Sequence, residues 1–169
     1  MEPILYTIGH SNKPIKEFVE KLSENKIGVL VDVRTAPYSK YNPQFNREAL
    51  KMELEKAGIT YIYKGKNLGG KGENIDWNST IQRLCDRVKE NKTRICVMCS
   101  EGDPEKCHRK TKIEPAVLAH NVEIAHILWS FNRKDLLLQG REMIGGKLKV
   151  PAVMKKEKKN GSAQTMLEF

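Results

Sequence analysis

The segment from Cys99 to Arg109 holds the side chains that are best suited to catalysis or ligand binding. Cys99, Glu101, Cys107, His108 and Arg109 fall within eleven positions. Cys107 is predicted at the start of a helix, where amide donors and the helix dipole stabilise a thiolate. His108 and Arg109 add donors that can hold an anion, and Glu101 can act as a base or accept from loop amides. The segment predicts a nucleophilic Cys107 with Cys99 nearby; in the alternative, both cysteines only pack.

A second candidate group follows the first apolar run of the chain. His10, Ser11 and Asn12 come directly after Gly9. A histidine on a loop at the edge of a sheet can serve as general acid or base, because its pKa lies near neutrality. The alternative is a hydrogen-bonded loop histidine. Ser11 and Asn12 are predicted to contact substrate.

Two further loops carry an arginine and a pair of glycines. Arg34 follows Asp32 at the end of a continuous apolar run. Its guanidinium either clamps a phosphate or carboxylate, or pairs with Asp32 or Glu101. Gly69 and Gly70 lie in a later loop and allow a ligand to approach the backbone closely. We predict that Arg34 and the two glycines bind substrate.

These four loops follow short apolar runs that alternate with helical patterns. Such alternation predicts a single three-layer α/β/α domain with a mostly parallel sheet of about five strands. Strands are expected at 4–8, 28–33, 59–63, 94–99 and 122–129, and helices from 14 onward, at 46–57, at 78–90 and at 106–120, the last bent near Pro115. Because ligands bind beyond the carboxyl ends of parallel strands, we expect the loops to form one site.

Length and composition restrict the class of protein. The 169 residues carry a formal charge of +9, with 39% hydrophobic and 30% charged residues. These values indicate an ordinary globular domain and exclude a disordered chain. No apolar run approaches the roughly 20 residues of a membrane span, and no signal peptide opens the chain, so a cytoplasmic protein is expected. Its four cysteines are then expected as thiols.

A cofactor is not predicted, and neither is a metal. Cys96 and Cys99 have the Cys-x-x-Cys spacing of zinc ligands. On an extended strand, however, residues three apart point to opposite faces. Cys85 and Cys96 lie on the interior faces of their predicted helix and strand, and both are interpreted as core residues.

The C-terminal part of the chain differs in composition from the rest. We predict a domain over residues 1–140, a flexible basic linker over 141–163 and a short peptide over 164–169. Six lysines and one glutamate lie between Lys147 and Lys159. Such a charge favours DNA or another anionic partner.

The last six residues contain three positions of a known type of docking peptide. Gln164, Leu167 and Phe169 fit Gln-x-x-Leu-x-Phe, which is similar to the peptide that bacterial replication and repair proteins dock on the sliding clamp. Leu167 and Phe169 would fill an apolar pocket, and Gln164 would bond at its edge. The alternative is an apolar C-terminus, or a strand added to the domain.

The motifs together resemble a known family. The segments Tyr6–Asn12, Asp32–Arg34 and Leu68–Gly70, and Cys99-x-Glu101 followed by Cys107-His-Arg109, are similar to those of the domain of unknown function 488 family. The resemblance covers about residues 3–130. It implies an α/β fold and a shared site at these residues, but no reaction.

A weaker likeness links the chain to rhodaneses and protein tyrosine phosphatases. They also place a cysteine-bearing anion loop between a strand and a helix. Here Arg109 lies ten residues after Cys99 and two after Cys107, which departs from the short spacing in those loops.

Three functions follow as expectations. The first is a DNA-associated enzyme in repair, a hydrolase that processes a base or nucleotide and is recruited to the sliding clamp. In it, Arg34 and Arg109 would hold phosphate, His10 and Glu101 would transfer protons, and Cys107 or Cys99 would act as nucleophile or scaffold. The second is a thiol-dependent enzyme, rhodanese-like or redox-active, on a small molecule. The third is a non-catalytic nucleic-acid-binding adaptor.

Overall fold

The computed structural model describes residues 2–129, and these form an α/β/α sandwich around five parallel strands. The strands are β1 (Ile4–Gly9), β2 (Ile27–Asp32), β3 (Thr60–Tyr63), β4 (Arg94–Cys99) and β5 (Glu123–His126). The helices are α1 (Ile15–Glu24), α2 (Arg47–Lys56), α3 (Gly65–Leu68), α4 (Trp77–Glu90) and α5 (Glu114–Leu118). The predicted fold class is therefore confirmed, and every strand pair is parallel.

The strand order places β4 at the centre of the sheet. The order is β3-β2-β4-β1-β5, and the register aligns Gly9 with Cys99 and Asp32 with Met98. The neighbours of β4 are β1 and β2. The chain leaves each of them toward the β3 edge of the sheet, whereas it leaves β4 toward the β5 edge. Right-handed crossovers then carry these connections to opposite faces of the sheet. The carboxyl end of β4 is consequently a topological switch point, where open parallel sheets bind ligands.

Two apolar cores separate the sheet from its helix layers. One face of the sheet packs against α1 and α2, with Phe18 and Leu54 fully buried there. The opposite face packs against α4 and α5, with Leu84 and Val117 fully buried. Apolar side chains recur every three to four residues along each long helix, and they form the face that packs against the sheet.

Several element boundaries differ from the sequence prediction. The glycine-rich loop after β3 contains α3, a single turn. The helix expected from residue 106 begins as a π-helical turn at Arg109–Ile113 and continues as α5. A separate 3₁₀ turn (Pro104–Lys106) precedes it, and the extended backbone of Cys107 divides the two. Pro115 lies in the first turn of α5, where its missing N–H requires no partner.

The chain leaves the described region at the carboxyl edge of the sheet. β5 ends at His126, three residues earlier than predicted, and the indole Nε1 of Trp129 donates to the Gly9 carbonyl at 2.6 Å. The predicted boundary at 140, the linker and the docking peptide lie outside the described residues. Within residues 2–129, no helix has the length and apolar character needed to cross a membrane.

Candidate active site

The first feature at the switch point is a pair of cysteine sulfurs in contact. Cys99 ends β4, and Cys107 follows the 3₁₀ turn in the next loop. Their Sγ atoms are 2.7 Å apart, both are free thiols, and the two residues are only 4% and 6% exposed. The predicted proximity of Cys99 and Cys107 is therefore present in the fold. Together with His108 and Arg109, these residues are called the thiol cluster below.

Arg109 brings a buried positive charge to Cys107. Its side chain is fully buried. Nε donates to the Cys107 sulfur at 3.3 Å, Nη1 to Thr7 Oγ1 at 3.2 Å and Nη2 to the Glu101 carbonyl at 2.6 Å. Within residues 2–129, no carboxylate forms an ion pair with this guanidinium. Because a buried cation without an anion is strongly unfavourable, this environment favours the thiolate form of Cys107.

His108 is oriented by a backbone carbonyl. Its Nε2 lies 3.1 Å from the Leu68 carbonyl oxygen, and its Nδ1 lies 3.6 Å from the Cys107 sulfur. A carbonyl can only accept, so Nε2 carries a proton. Nδ1 of the neutral ring can then accept the thiol proton from Cys107, and after that transfer it donates to the thiolate.

The four cysteines differ sharply in acidity. The pKa of the Cys107 thiol is lowered most strongly by the hydrogen bond from Cys99. It is lowered further by hydrogen bonds from His108 and from the Arg109 amide, and by the Arg109 charge. The hydrogen bond with Cys107 and burial raise the pKa of Cys99. Burial raises the pKa of Cys85 to about 11 and also raises that of Cys96. Cys107 is thus the most acidic of the four thiols, and Cys99 donates the shared proton.

The loop between Cys99 and Cys107 is held by its own polar groups. The Glu101 carboxylate accepts from the Asp103 amide at 3.0 Å, and the Asp103 carboxylate accepts from the Glu105 amide at 3.0 Å. Gly9 permits close contact with this loop, since a Cβ at Gly9 would overlap the Glu101 carbonyl. The exposed Glu101 side chain therefore caps a loop amide, which is one of the two roles that the sequence left open for it.

A second polar group lies on the opposite face of the sheet. Arg34 donates from Nε and Nη2 to the two carboxylate oxygens of Asp32, at 2.9 and 2.7 Å. Tyr61 donates to Asp32 Oδ2 at 2.6 Å, and Arg34 Nη1 lies 3.4 Å from His10 Nε2. These four residues are called the carboxylate cluster. Of the alternatives for Arg34, the structure contains the ion pair with Asp32.

His10 is buried, and both of its ring nitrogens have partners. Its Nδ1 lies 2.6 Å from the Ser11 carbonyl oxygen, so Nδ1 carries the proton and Nε2 faces Arg34 as an acceptor. The ring stacks on Phe45 with centroids 4.2 Å apart. Burial lowers the pKa of His10 from 6.5 to about 4. His10 is therefore neutral near pH 7.

The other predicted contact residues lie around the two clusters. Gly70 packs on His108, because a Cβ there would lie 2.7 Å from the ring Nδ1. A Cβ at Gly69 would overlap the Gly65 carbonyl. Ser11 has a positive φ of 53°, a conformation that is uncommon for residues other than glycine and concentrates near functional sites. Asn12 is exposed beside Ser11.

The fold brings the sequence-predicted residues into two separate groups. His108 and Arg109 join the two cysteines, while His10 joins Arg34. Within residues 2–129, no side-chain hydrogen bond connects the thiol cluster with the carboxylate cluster. The backbone does connect them, since the His10 amide donates to the Cys99 carbonyl at 2.9 Å.

Sequence reasoning missed three residues that hold these groups. Thr7, Tyr61 and His126 were not among the predicted site residues. Thr7 and Tyr61 lie on strands whose neighbours are set by the strand order, which the sequence does not reveal. A polar residue within an apolar strand is the only signal that could have marked Thr7 as a partner of another buried group.

The thiol cluster also contains three potential metal ligands. The ligand atoms of Cys99, Cys107 and His108 all lie within 4.8 Å of one another. The guanidinium of Arg109 lies against the same sulfur, at 3.3 Å, and it would repel a divalent cation. The donor set therefore fits a metal poorly while Arg109 holds this position. Cys96 and Cys99 belong to opposite cores, as the extended spacing predicts.

The family comparison matches the segment that runs from the start of α1 into α4. The sequence model of the family described as "Domain of unknown function DUF488" matches residues 14–84. Over this segment the chain is similar to the DUF488 family. The matched segment contains Asp32, Arg34, Gly69 and Gly70, while His10 and the thiol cluster lie outside it. A comparison with curated proteins found no match to the chain.

Proposed function

We propose that this protein is a thiol-dependent redox enzyme that reduces a small hydroperoxide. One observation carries the proposal: the Cys107 sulfur lies 2.7 Å from a second thiol and accepts from a buried arginine that has no carboxylate partner among residues 2–129. A thiolate is the nucleophilic form of cysteine, and a neighbouring thiol can complete a disulfide. This is the redox form of the thiol chemistry that the sequence allows.

The first step is attack of the Cys107 thiolate on the hydroperoxide. Its sulfur bonds to the terminal oxygen, the O–O bond breaks, and the leaving alkoxide takes a proton to become an alcohol. Cys107 is then a sulfenic acid. Arg109 lies 3.3 Å from this sulfur, so its charge lies beside the oxygen on which negative charge develops.

The second step uses Cys99. Its sulfur attacks the Cys107 sulfur, hydroxide leaves and takes the Cys99 proton to become water, and a disulfide forms. Two thiols and one hydroperoxide thus give one disulfide, one alcohol and one water. An external dithiol returns the pair to the reduced state by exchange. Neutralisation of Cys107 in the first step removes the negative charge beside Cys99 and thereby assists this attack.

Burial of both sulfurs supports a small oxidant over a protein disulfide. Cys99 and Cys107 are 4% and 6% exposed, which suits hydrogen peroxide or a short alkyl hydroperoxide. The arrangement supports phosphate binding by Arg109 less well, because Cys107, Thr7 and the Glu101 carbonyl already engage all three of its nitrogens.

The test is peptide mapping by mass spectrometry after the reduced protein meets hydrogen peroxide. We expect a Cys99–Cys107 disulfide in the wild type, a sulfenic acid at Cys107 in Cys99→Ser, and no oxidation in Cys107→Ser. Cys85→Ser is the matched control, since Cys85 is also buried, and it should behave as the wild type. Persistence of the Cys107 thiol, or a disulfide between other cysteines, would contradict the proposal.

A second proposal concerns the C-terminus and is independent of the first. Gln164, Leu167 and Phe169 follow a lysine-rich segment, and this pattern supports recruitment to a sliding clamp on DNA. Recruitment would bring the site to damaged DNA, where the sequence predicts base or nucleotide processing. An adaptor without catalytic activity would bind the clamp and leave the nucleic acid unchanged.

Clamp binding by the full chain tests this second proposal. We expect micromolar affinity for a bacterial sliding clamp that is lost in the Leu167→Ala/Phe169→Ala variant. The matched control is Thr165→Ala/Glu168→Ala, which changes the unspecified positions of the same peptide and should retain binding. Equal affinity of both double variants would exclude this docking mode.

A further inference from the structure

A chain of buried polar groups leads away from the thiol cluster. Thr7 on β1 and His126 on β5 are partners in the strand register, and they are 0% and 1% exposed. Thr7 Oγ1 lies 2.6 Å from His126 Nδ1, and His126 Nε2 lies 3.1 Å from Glu114 Oε2. At the end of this chain of groups that is nearest the thiol cluster, Thr7 Oγ1 accepts from Arg109 Nη1 at 3.2 Å. The proposed reaction steps do not use Thr7, His126 or Glu114.

The donors and acceptors of this chain can be assigned in one direction. An ionised Glu114 can only accept, so His126 Nε2 carries a proton. In the neutral ring, Nδ1 then accepts, and the Thr7 hydroxyl donates to it. The hydroxyl has a single proton, so a lone pair of Thr7 remains for Arg109. The order of donation is thus Arg109 to Thr7, Thr7 to His126 and His126 to Glu114.

Thr7 helps to fix the orientation of the Arg109 guanidinium, which is a rigid group. The guanidinium is planar and presents its N–H groups in a fixed fork. With Nη1 on Thr7 and Nη2 on the Glu101 carbonyl, the direction of Nε is determined. Nε is the atom that donates to the Cys107 sulfur, at 3.3 Å.

We propose that Thr7, His126 and Glu114 are positioning residues that hold Arg109 in place and so maintain Cys107 as a thiolate. The inference rests on the proposed function, because it explains how the reactive state of Cys107 is sustained. Without the Thr7 hydroxyl, Nη1 would have no acceptor in a buried site, and the guanidinium would turn toward another oxygen. Its contact with the sulfur would lengthen, and the thiolate would lose stabilisation.

The surrounding charges do not replace this arrangement. Cys107 faces Cys99, His108 and Arg109. Glu114 faces His126 and lies within the influence of Lys110, whose ammonium pairs with Glu105 at 2.9 Å. Arg109 is therefore the only arginine or lysine among the residues that lower the pKa of Cys107, and its position is expected to add to the larger effect of the Cys99 hydrogen bond.

The test is the pH dependence of the ultraviolet thiolate absorbance of the reduced full-length protein. The transition that Cys107→Ser lacks is assigned to Cys107, since the pKa values of the other three thiols are raised. We expect Thr7→Val to move the midpoint upward by about one pH unit, which is a tenfold change in the ionisation constant. Thr7→Ser keeps the hydroxyl and should restore the wild-type midpoint.

The chain offers a matched control for the loss of a buried hydroxyl. Thr80 is fully buried, and among residues 2–129 its Oγ1 has no hydrogen-bond partner. Thr80→Val should leave the midpoint unchanged, and it measures any general effect of the substitution on the core. His126→Asn and Glu114→Gln break the chain further from Arg109, so smaller upward shifts are expected. These two variants also carry the test if Thr7→Val does not fold.

The outcomes separate this inference from the proposed function. A low wild-type midpoint that stays unchanged in folded Thr7→Val, or in His126→Asn and Glu114→Gln, overturns the positioning role and leaves the thiolate intact. A wild-type midpoint like that of a free thiol overturns the thiolate itself, and with it the proposed function. A shift in Thr7→Val that Thr7→Ser reverses and Thr80→Val lacks supports the inference.

Discussion

Two buried arginines lie at the same edge of the sheet, but their charges are balanced in different ways. Arg34 is 6% exposed and forms a two-point ion pair with Asp32. Arg109 is fully buried, and its partners within residues 2–129 are a sulfur, a hydroxyl and a carbonyl. Only the second arginine needs a titratable thiol for its charge balance.

The difference teaches where reactivity can arise in this fold. In the carboxylate cluster, the charge of Arg34 is already compensated by the Asp32 carboxylate, and burial keeps His10 neutral. In the thiol cluster, among residues 2–129, the charge of Arg109 is compensated only when Cys107 ionises. A buried cation beside a thiol thus increases the acidity of that thiol.

The largest expected effect is on stability, from Asp32→Asn. The substitution leaves Arg34 buried without its anion, and breaking such a pair costs about 3–5 kcal/mol. Chemical denaturation should show this loss, while the thiolate midpoint of Cys107 stays unchanged. Glu53→Gln is the control, because its exposed ion pair with Lys56 is worth less than about 1 kcal/mol. Equal losses in the two variants would show that the Asp32 pair is not structural.

The next effect is acid destabilisation through His10. Burial lowers the pKa of His10 from 6.5 to about 4, so between these values the unfolded chain binds a proton that the folded chain does not. The free energy of unfolding should therefore fall as pH drops through this range, by up to about 3 kcal/mol from this group. Denaturation curves of His10→Asn should be flatter than wild type over the same range. Curves of identical slope would contradict the buried, neutral histidine.

A sharper contrast comes from removing each arginine in turn. Arg109→Met should raise the Cys107 thiolate midpoint by about one pH unit or more. Oxidation by hydrogen peroxide should also slow, because the positive charge beside the leaving oxygen is lost. Arg34→Met leaves Asp32 without its partner and should lower stability, but the midpoint should remain at the wild-type value. Equal midpoint shifts in the two variants would remove the distinction between the clusters.

The smallest expected effect comes from the support of His108. A Cβ in Gly70→Ala would lie 2.7 Å from the His108 ring Nδ1, so the ring must move away from Cys107. Oxidation should slow by about twofold to fivefold, as expected when a weak hydrogen bond is lost. In His108→Ala the ring is absent, and adding Gly70→Ala should change nothing more. Fully additive effects in the double variant would mean that Gly70 acts elsewhere.

The amino-acid pattern alone was sufficient for the fold class and for most element positions. Continuous apolar runs such as 28–33 predict strands buried on both faces, and the spacing of Ile81, Leu84, Cys85 and Val88 predicts one face of α4. These signals are local, since each arises from the periodicity of one element. The boundaries around Cys107 were less predictable, because the π-helical turn is held by long-range contacts such as that of Arg109 with Thr7.

The sequence also determined which residue types reach the carboxyl edge of the sheet. His10, Arg34, Gly69, Gly70 and the segment from Cys99 to Arg109 all follow strands, and parallel strands end at one edge. The tertiary structure alone decided how these residues are grouped. The order β3-β2-β4-β1-β5 places β1 between β4 and β5, so Thr7 lies beside Arg109 and His126. Side-chain direction then separates His10 and Arg34 from the cysteines by a full sheet. Strand order and facing arise from long-range packing of helices on the two sides of the sheet, and no local pattern of residues specifies them.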